Sequence, residues 1–218
     1  MKVLLVNGSP HNKGCTNAAL NEAGHALEEE DISTEYFWIG NQPIAGCIGC
    51  GYCAQKGKCR YDDQVNTFLD MAPKYDGFIF GAPVHFASAA ASMIAFMDRV
   101  FFVDQCAKLN CFAFKPGATI VSARRAGTTA TLDELNKYLL YAQMPIATSR
   151  YWNMVHGQKP EQVQEDIEGM QIMRVLGRNM AWLLKSIEAG KKAGIVIPLQ
   201  EERINTCLLY TSSESTDG

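Results

Sequence analysis

Four cysteines, Cys47, Cys50, Cys53 and Cys59, fall within 13 residues as C-x2-C-x2-C-x5-C. Two successive C-x2-C steps bring three thiolates together from one tight loop, and the fourth closes from a few residues on. A cubane iron–sulfur cluster asks for such a supply, one thiolate on each iron. Structural zinc more often takes two separated pairs of Cys or His. On spacing alone, a zinc site and a loop of free thiols stand as the alternatives. Glycines at 46, 49, 51 and 57 give the loop the positive-φ freedom that wrapping requires.

The elements that must carry this loop alternate in character. Val3–Val6 is an unbroken apolar run stopped by Asn-Gly-Ser-Pro, the pattern of a strand buried on both faces. Thr16–Glu30 has helical periodicity through Ala19, Leu20, Ala23 and Leu27, and Glu35–Ile39 reads as a second strand ahead of the cysteines. Asp63–Met71 is a short helix closed by Pro73. Further strands are expected at Phe78–Phe80, Ala118–Ser122 and Ile146–Trp152, and further helices at Ser88–Asp104, Ala130–Gln143 and about Pro160 to Gly190. Five strand–helix units in succession predict an α/β fold, a doubly wound five-stranded parallel sheet in one domain over 1–200. Residues 201–218 form a tail. Thr211–Gly218 is Ser, Thr and acid with nothing to bury, and is expected to be disordered.

Ligands of such sheets bind beyond the carboxyl ends of the strands. Three loops there are specialised. Residues 7–17 read Asn-Gly-Ser-Pro-His-Asn-Lys-Gly-Cys-Thr-Asn. The hydroxyls of Ser9 and Thr16, the Asn17 amide and the free N–H groups of the following helix suit a phosphate. The loop is neither a Walker sequence nor G-x-G-x-x-G, and an ordinary capped helix is the plainer alternative. Gly81 to Ser88 holds small residues and a proline, with His85 and Phe86 at its far end. Ser122 to Thr129 carries Arg124 and Arg125.

Composition narrows the class. A hydrophobic share of 47% and a charged share of 20% are globular values for 218 residues. A net charge of −3, with no long Lys/Arg run, argues against general nucleic-acid binding. No apolar stretch approaches the ~18 residues of a membrane span. Met1–Val6 is too short, and too soon followed by a turn, to be a signal peptide. Eight cysteines are therefore expected in a reducing cytoplasm, as metal or redox groups rather than disulfides.

Taken together, Val-Asn-Gly-Ser-Pro with Gly-Cys-Thr, Gly-Ala-Pro-Val-His-Phe with Phe-Met-Asp-Arg at 96–99, Ser122–Thr129 and Tyr-Trp-Asn-Met-Val-His-Gly at 151–157 resemble the flavodoxin-like NADPH-dependent FMN reductase family. The four-cysteine loop is similar to that of its iron–sulfur flavoprotein branch, and the resemblance runs from Met1 to about Pro198. It implies strand order 2-1-3-4-5. Ser9, His11, Cys15, Thr16 and Asn17 would hold the FMN phosphate, with Cys15 standing where many members carry Asn or Ser. Pro83, Val84, His85 and Phe86 would border the flavin ring, with Ser122, Arg124 and Gly127 on another side. Cys47, Cys50, Cys53 and Cys59 would bind a 4Fe–4S cluster. The function implied is an FMN-dependent oxidoreductase that takes electrons from NADPH or NADH, the flavin doing the chemistry and Arg124 supplying positive charge. Its acceptor would be a small molecule or a protein, and its assembly a homodimer or tetramer. A non-enzymatic electron carrier between protein partners is one alternative, and a flavin-free redox or metal-sensing module built on the cysteine loop is a second.

Overall fold

The computed structural model describes residues 1–202 and 204. The expected disorder of 211–218 therefore lies outside the described residues. The chain begins with β1 (Lys2–Asn7), α1 (Cys15–Glu28) and β2 (Ser33–Trp38). Next come α2 (Tyr52–Lys56), α3 (Gln64–Met71), β3 (Gly77–His85), the short β4 (Ser88–Ala89) and α4 (Ala91–Cys106). β5 (Gly117–Ala123), α5 (Thr128–Tyr141), β6 (Met154–His156), α6 (Pro160–Glu165) and α7 (Ile167–Lys192) complete it. The main sheet is parallel in the order β2-β1-β3-β5-β6, with β4 attached to β3. Numbering only the parallel strands gives 2-1-3-4-5, as expected.

The strands that read as unbroken apolar runs are central. β5 is buried at every residue and β1 at all but its first. Each face of the sheet has its own core. One is rich in rings: Phe68 meets Phe96 edge-on at 5.2 Å and stacks with Phe112 at 6.2 Å, under α3 and α4. Each such pair contributes about 0.5–1.5 kcal/mol beyond its buried area. The other face is aliphatic and lies under α1 and α7. These two helices pack closely at Gly177, where a Cβ would stand 2.4 Å from the backbone oxygen of Ala23.

Three expectations are corrected. The fifth strand was expected at Ile146–Trp152, but Ile146 makes only a bridge to Gly117, and β6 pairs from Met154 opposite Val121. Four extra residues have entered between these two registers. An edge strand tolerates them because it has one neighbour to satisfy, and Asn153 rejoins the sheet through a bond from its Nδ2 to the Thr119 oxygen at 3.0 Å. Ser88 does not start a helix. It pairs with His85 in a hairpin, and the Glu134 carboxylate accepts from Ser88 Oγ at 2.8 Å and from the Ala89 N–H at 3.0 Å. The final helix is two, because Asp166 leaves helical geometry and its carboxylate accepts from the Gly169 and His156 N–H groups.

Candidate active site

At the carboxyl ends of β1, β3 and β5 lies an open cleft of about 420 Å³. Four pieces of chain wall it: the loop after β1, Pro83 and Val84 of β3, Ser122 to Arg124 at the end of β5, and a strap from Gly157 to Pro160. Its floor is preset. Asn7 is wholly buried; its Oδ1 accepts from the Ser9 N–H at 2.9 Å, and its Nδ2 donates to the Tyr36 hydroxyl at 2.6 Å. Trp38 Nε1 donates to the Ser9 carbonyl at 2.8 Å. The Ser9 Oγ accepts from the His11 N–H at 3.1 Å, so its own hydrogen remains to donate. Thr16 and Ser122, both buried, share one hydroxyl–hydroxyl bond of 2.8 Å, which leaves one of their two hydrogens over.

The start of α1 is open as well. No side chain caps it at Gly14 and its first turn holds no acid, so its N–H groups and the positive end of its dipole face the cleft. Cys15 is differently occupied. Burial, with Glu161 nearby, pushes its thiol up, and the neutral S–H donates to the Gly157 carbonyl at 3.5 Å. It ties α1 to the strap.

Of the residues read from the sequence, Ser9, His11, Cys15, Thr16, Pro83, Val84, Ser122 and Arg124 line this cleft. Asn17 does not, since its amide pairs with that of Asn21 one turn along α1. His85 and Phe86 are on the exposed tip of the β3–β4 hairpin, and Gly127 supports that tip from below. At Gly127 φ is 94°, and a Cβ would come 2.6 Å from the Ala87 Cα. Two lining cations were missed, Lys13 and Lys159. Lys159 immediately precedes a proline at a helix start, a signal that could have placed it beside the carboxyl edge of the sheet.

The four loop cysteines line a second, smaller cavity together with Ile48, Tyr61, Arg99, Phe102 and Val103. Left-handed glycines bracket the single turn of α2, at Gly51 (φ 67°) and Gly57 (φ 72°). Among the described residues, no three His, Cys, Asp or Glu side chains gather as closely as a single ion would need. Cys47 and Cys50 are exposed, Cys53 buried and Cys59 half-buried. Cys59 is the most firmly held. Asn66 brackets it, accepting from its N–H at 2.9 Å and donating to its carbonyl at 3.1 Å.

Arg99, 1% exposed, adds a second hold: its Nε and Nη2 donate to Cys59 Sγ at 3.2 and 3.1 Å. Asp63 answers the guanidinium with both carboxylate oxygens, at 2.6 and 2.9 Å, and also caps α3. Burial works against the Arg99 charge, but Asp63 and Cys59 outweigh it and hold its pKa above the ordinary value. Cys106 interacts directly with Cys53, whose thiol is pushed up by burial and by that neighbour.

The chain matches the NADPH-dependent FMN reductase family over residues 1–159 and belongs to it. It is 31% identical over 194 residues to an iron–sulfur flavoprotein of Methanocaldococcus jannaschii, an alignment covering 86% of this chain and 100% of that one. Its fold resembles a flavodoxin from the domain Archaea (TM-score 0.54, 16% identity, 85% of this chain and 99% of that one). It also resembles an NADH:FMN oxidoreductase in its apo form (TM-score 0.56, 16% identity, 85% and 89%). The protein is a flavin-dependent oxidoreductase with a flavodoxin-like fold. No helix among its described residues is long and apolar enough to cross a membrane.

Proposed function

We propose that this protein is an NAD(P)H-dependent FMN oxidoreductase that passes electrons onward by way of a 4Fe–4S cluster to a small-molecule or protein acceptor. The observation that carries the reading is the cleft at the carboxyl edge of β1, β3 and β5, where an uncapped helix start, free hydroxyl hydrogens and three cations converge. This donor set fits a phosphate, and the volume lies within the range of about 300–1,000 Å³ usual for small-ligand sites. Ser9, Thr16, Ser122 and the first turn of α1 would hold the phosphate group. Pro83 and Val84 supply a flat apolar wall for the ring, with His85, Phe86 and Gly127 at its outer border. Arg124, which lines the same cleft, would supply positive charge favouring a reduced, anionic ring. When bound, FMN provides hydride acceptance from a nicotinamide and release of electrons singly or in pairs.

The cysteine loop fits a cluster on the chemistry of its donors. Four sulfurs line one cavity with no carboxylate or imidazole among them, and a buried cation faces one of them. Four cysteine thiols lining one cavity offer one ligand for each iron of such a body. We place the protein in a reducing cytoplasm, as one domain over 1–200. The test is anaerobic purification followed by an absorption spectrum, then steady-state NADPH or NADH oxidation with a quinone or free flavin as acceptor. Flavin bands with turnover support the reading. Flavin without turnover indicates a carrier between proteins, and a spectrum without flavin overturns the assignment.

A further inference from the structure

We infer that Arg99 is a positioning residue that sets the reduction potential of a cluster bound at Cys47, Cys50, Cys53 and Cys59, through its two hydrogen bonds to the sulfur of Cys59. The inference rests on the cluster reading above. It starts from a misfit in the sequence pattern. Met93, Phe96, Val100 and Val103 form the buried stripe of α4, and Arg99 lies on that stripe rather than on the solvent face. A long cation in that position gives up its hydration, and a hydrophobic residue of similar volume is often at least as stable there. Packing alone therefore gives no reason for a guanidinium.

The hydrogen bonds supply one. Nη1 reaches Asp63 Oδ2 at 2.6 Å and the Ala45 carbonyl at 3.3 Å, while Nη2 reaches Asp63 Oδ1 at 2.9 Å and the Tyr61 carbonyl at 3.2 Å. The ring of Tyr61 stands 5.1 Å from the guanidinium carbon. Two contacts remain, from Nε and Nη2, and both converge on Cys59 Sγ. A neutral thiol is a weak acceptor, whereas a ligand sulfur bearing negative charge uses two donors fully. Arg99 thus joins the loop before the cysteines (Ala45), the fourth cysteine (Cys59) and the start of α3 (Asp63) at one fixed charge.

The sign follows from electrostatics. Reduction adds an electron to an assembly that is already anionic. A buried positive charge donating hydrogen bonds to one of its sulfurs favours the reduced state and raises the potential. Asp63 works the other way, because its carboxylate offsets the Arg99 charge. The two residues should therefore move the potential in opposite directions, which a purely structural role for the pair would not do.

The experiment compares wild type with Arg99→Gln, Arg99→Lys and Asp63→Asn after anaerobic reconstitution with iron and sulfide. Iron is counted, and the reduced signal is followed by EPR across a potential titration. For Arg99→Gln the reduced-to-oxidised ratio at fixed potential should fall about tenfold or more, or about 59 mV for a one-electron couple. Arg99→Lys, which keeps the charge and loses the fork, should fall less. Asp63→Asn should shift the ratio upward.

Loaded Arg99→Gln and Arg99→Lys proteins with the wild-type potential overturn the inference and leave the cluster reading standing. If neither Arg99 variant folds or loads, Asp63→Asn decides: an upward shift supports the inference, and an unmoved or lowered potential overturns it. Wild type that takes up no iron overturns the cluster reading itself, and this inference with it.

Discussion

Ser9 allows the phosphate assignment to be tested by counting hydrogens. Its Oγ lines the cleft and accepts from the His11 N–H at 3.1 Å, and its own hydrogen has no partner among the described residues. Ser9→Ala therefore removes one charge-assisted donor to phosphate, worth about 1.5–3 kcal/mol, or roughly ten- to hundredfold in FMN affinity. Thr16 is different. Its hydroxyl and that of Ser122 share one bond at 2.8 Å, and only one of the pair's two hydrogens is spare. In Thr16→Val the Ser122 hydrogen is released to take over, so the loss should be smaller than for Ser9→Ala. Adding Ser122→Ala to Thr16→Val should restore the full loss. The assay is titration of apoprotein into FMN, following the quenching of flavin fluorescence, with circular-dichroism melts to confirm folding. A folded Ser9→Ala, Thr16→Ala double variant that binds FMN as tightly as wild type refutes the phosphate site. Tighter binding by Ser9→Ala than by Thr16→Val refutes the hydrogen count.

Other outcomes are equally specific. Cys50→Ser should lose iron on reconstitution, whereas Cys106→Ser, despite the contact of Cys106 with Cys53, should keep the wild-type iron content; iron analysis of both decides whether Cys106 is a ligand. Gly177→Ala places a Cβ 2.4 Å from the Ala23 oxygen, an overpacking that should cost about 1–3 kcal/mol and lower the melting temperature by several degrees in calorimetry. Burial, with Asp104 beside it, pushes the Cys111 thiol from 9.0 up to about 12, and burial also raises Tyr75 and Tyr138. Raised acids contribute stability that is intact below their unfolded pKa and lost as pH climbs toward the folded one, so the urea midpoint should drop as pH rises from about 9 toward about 12. An unchanged midpoint would contradict these burials. Tyr151 and Trp152, each 53% exposed, are proposed to lie at a homodimer or tetramer interface, and a fully active monomer by light scattering would exclude that.

The central sheet was legible because both its faces are covered: Val3–Val6 and Ala118–Ser122 can only be apolar when helices press on both sides. The edge was not legible, since a strand with one neighbour can leave and rejoin the sheet without losing its apolar character. Gly81-Ala82-Pro83 read as a loop, yet β3 runs through it, because Pro83 lies opposite Ser122 in the register with β5. At the cleft, polarity directly after β1 marked Ser9 and Thr16. The helical turn then carried Asn17 out of it, which residue type alone does not reveal. Lys159 comes from far along the chain, and its nearness to Ser9 is a matter of topology. The signal for Arg99, a cation on the apolar stripe of α4, was present in the sequence but could not be separated from a surface position without the packing of α3.

The excursion in the last strand bears on how copies of this protein can meet. A long straight edge would offer a row of unpaired N–H and C=O groups on which another chain could extend the sheet. Here that edge is cut into a bridge at Ile146 and three residues from Met154, with an outward loop between them. Neither fragment is long enough to template a strand from outside. The same loop lifts Tyr151 and Trp152 into solvent, their rings edge to face at 4.6 Å. Association at this end of the molecule must therefore proceed through side chains, whose fit can distinguish a correct partner from a wrong one, rather than through backbone pairing, which cannot.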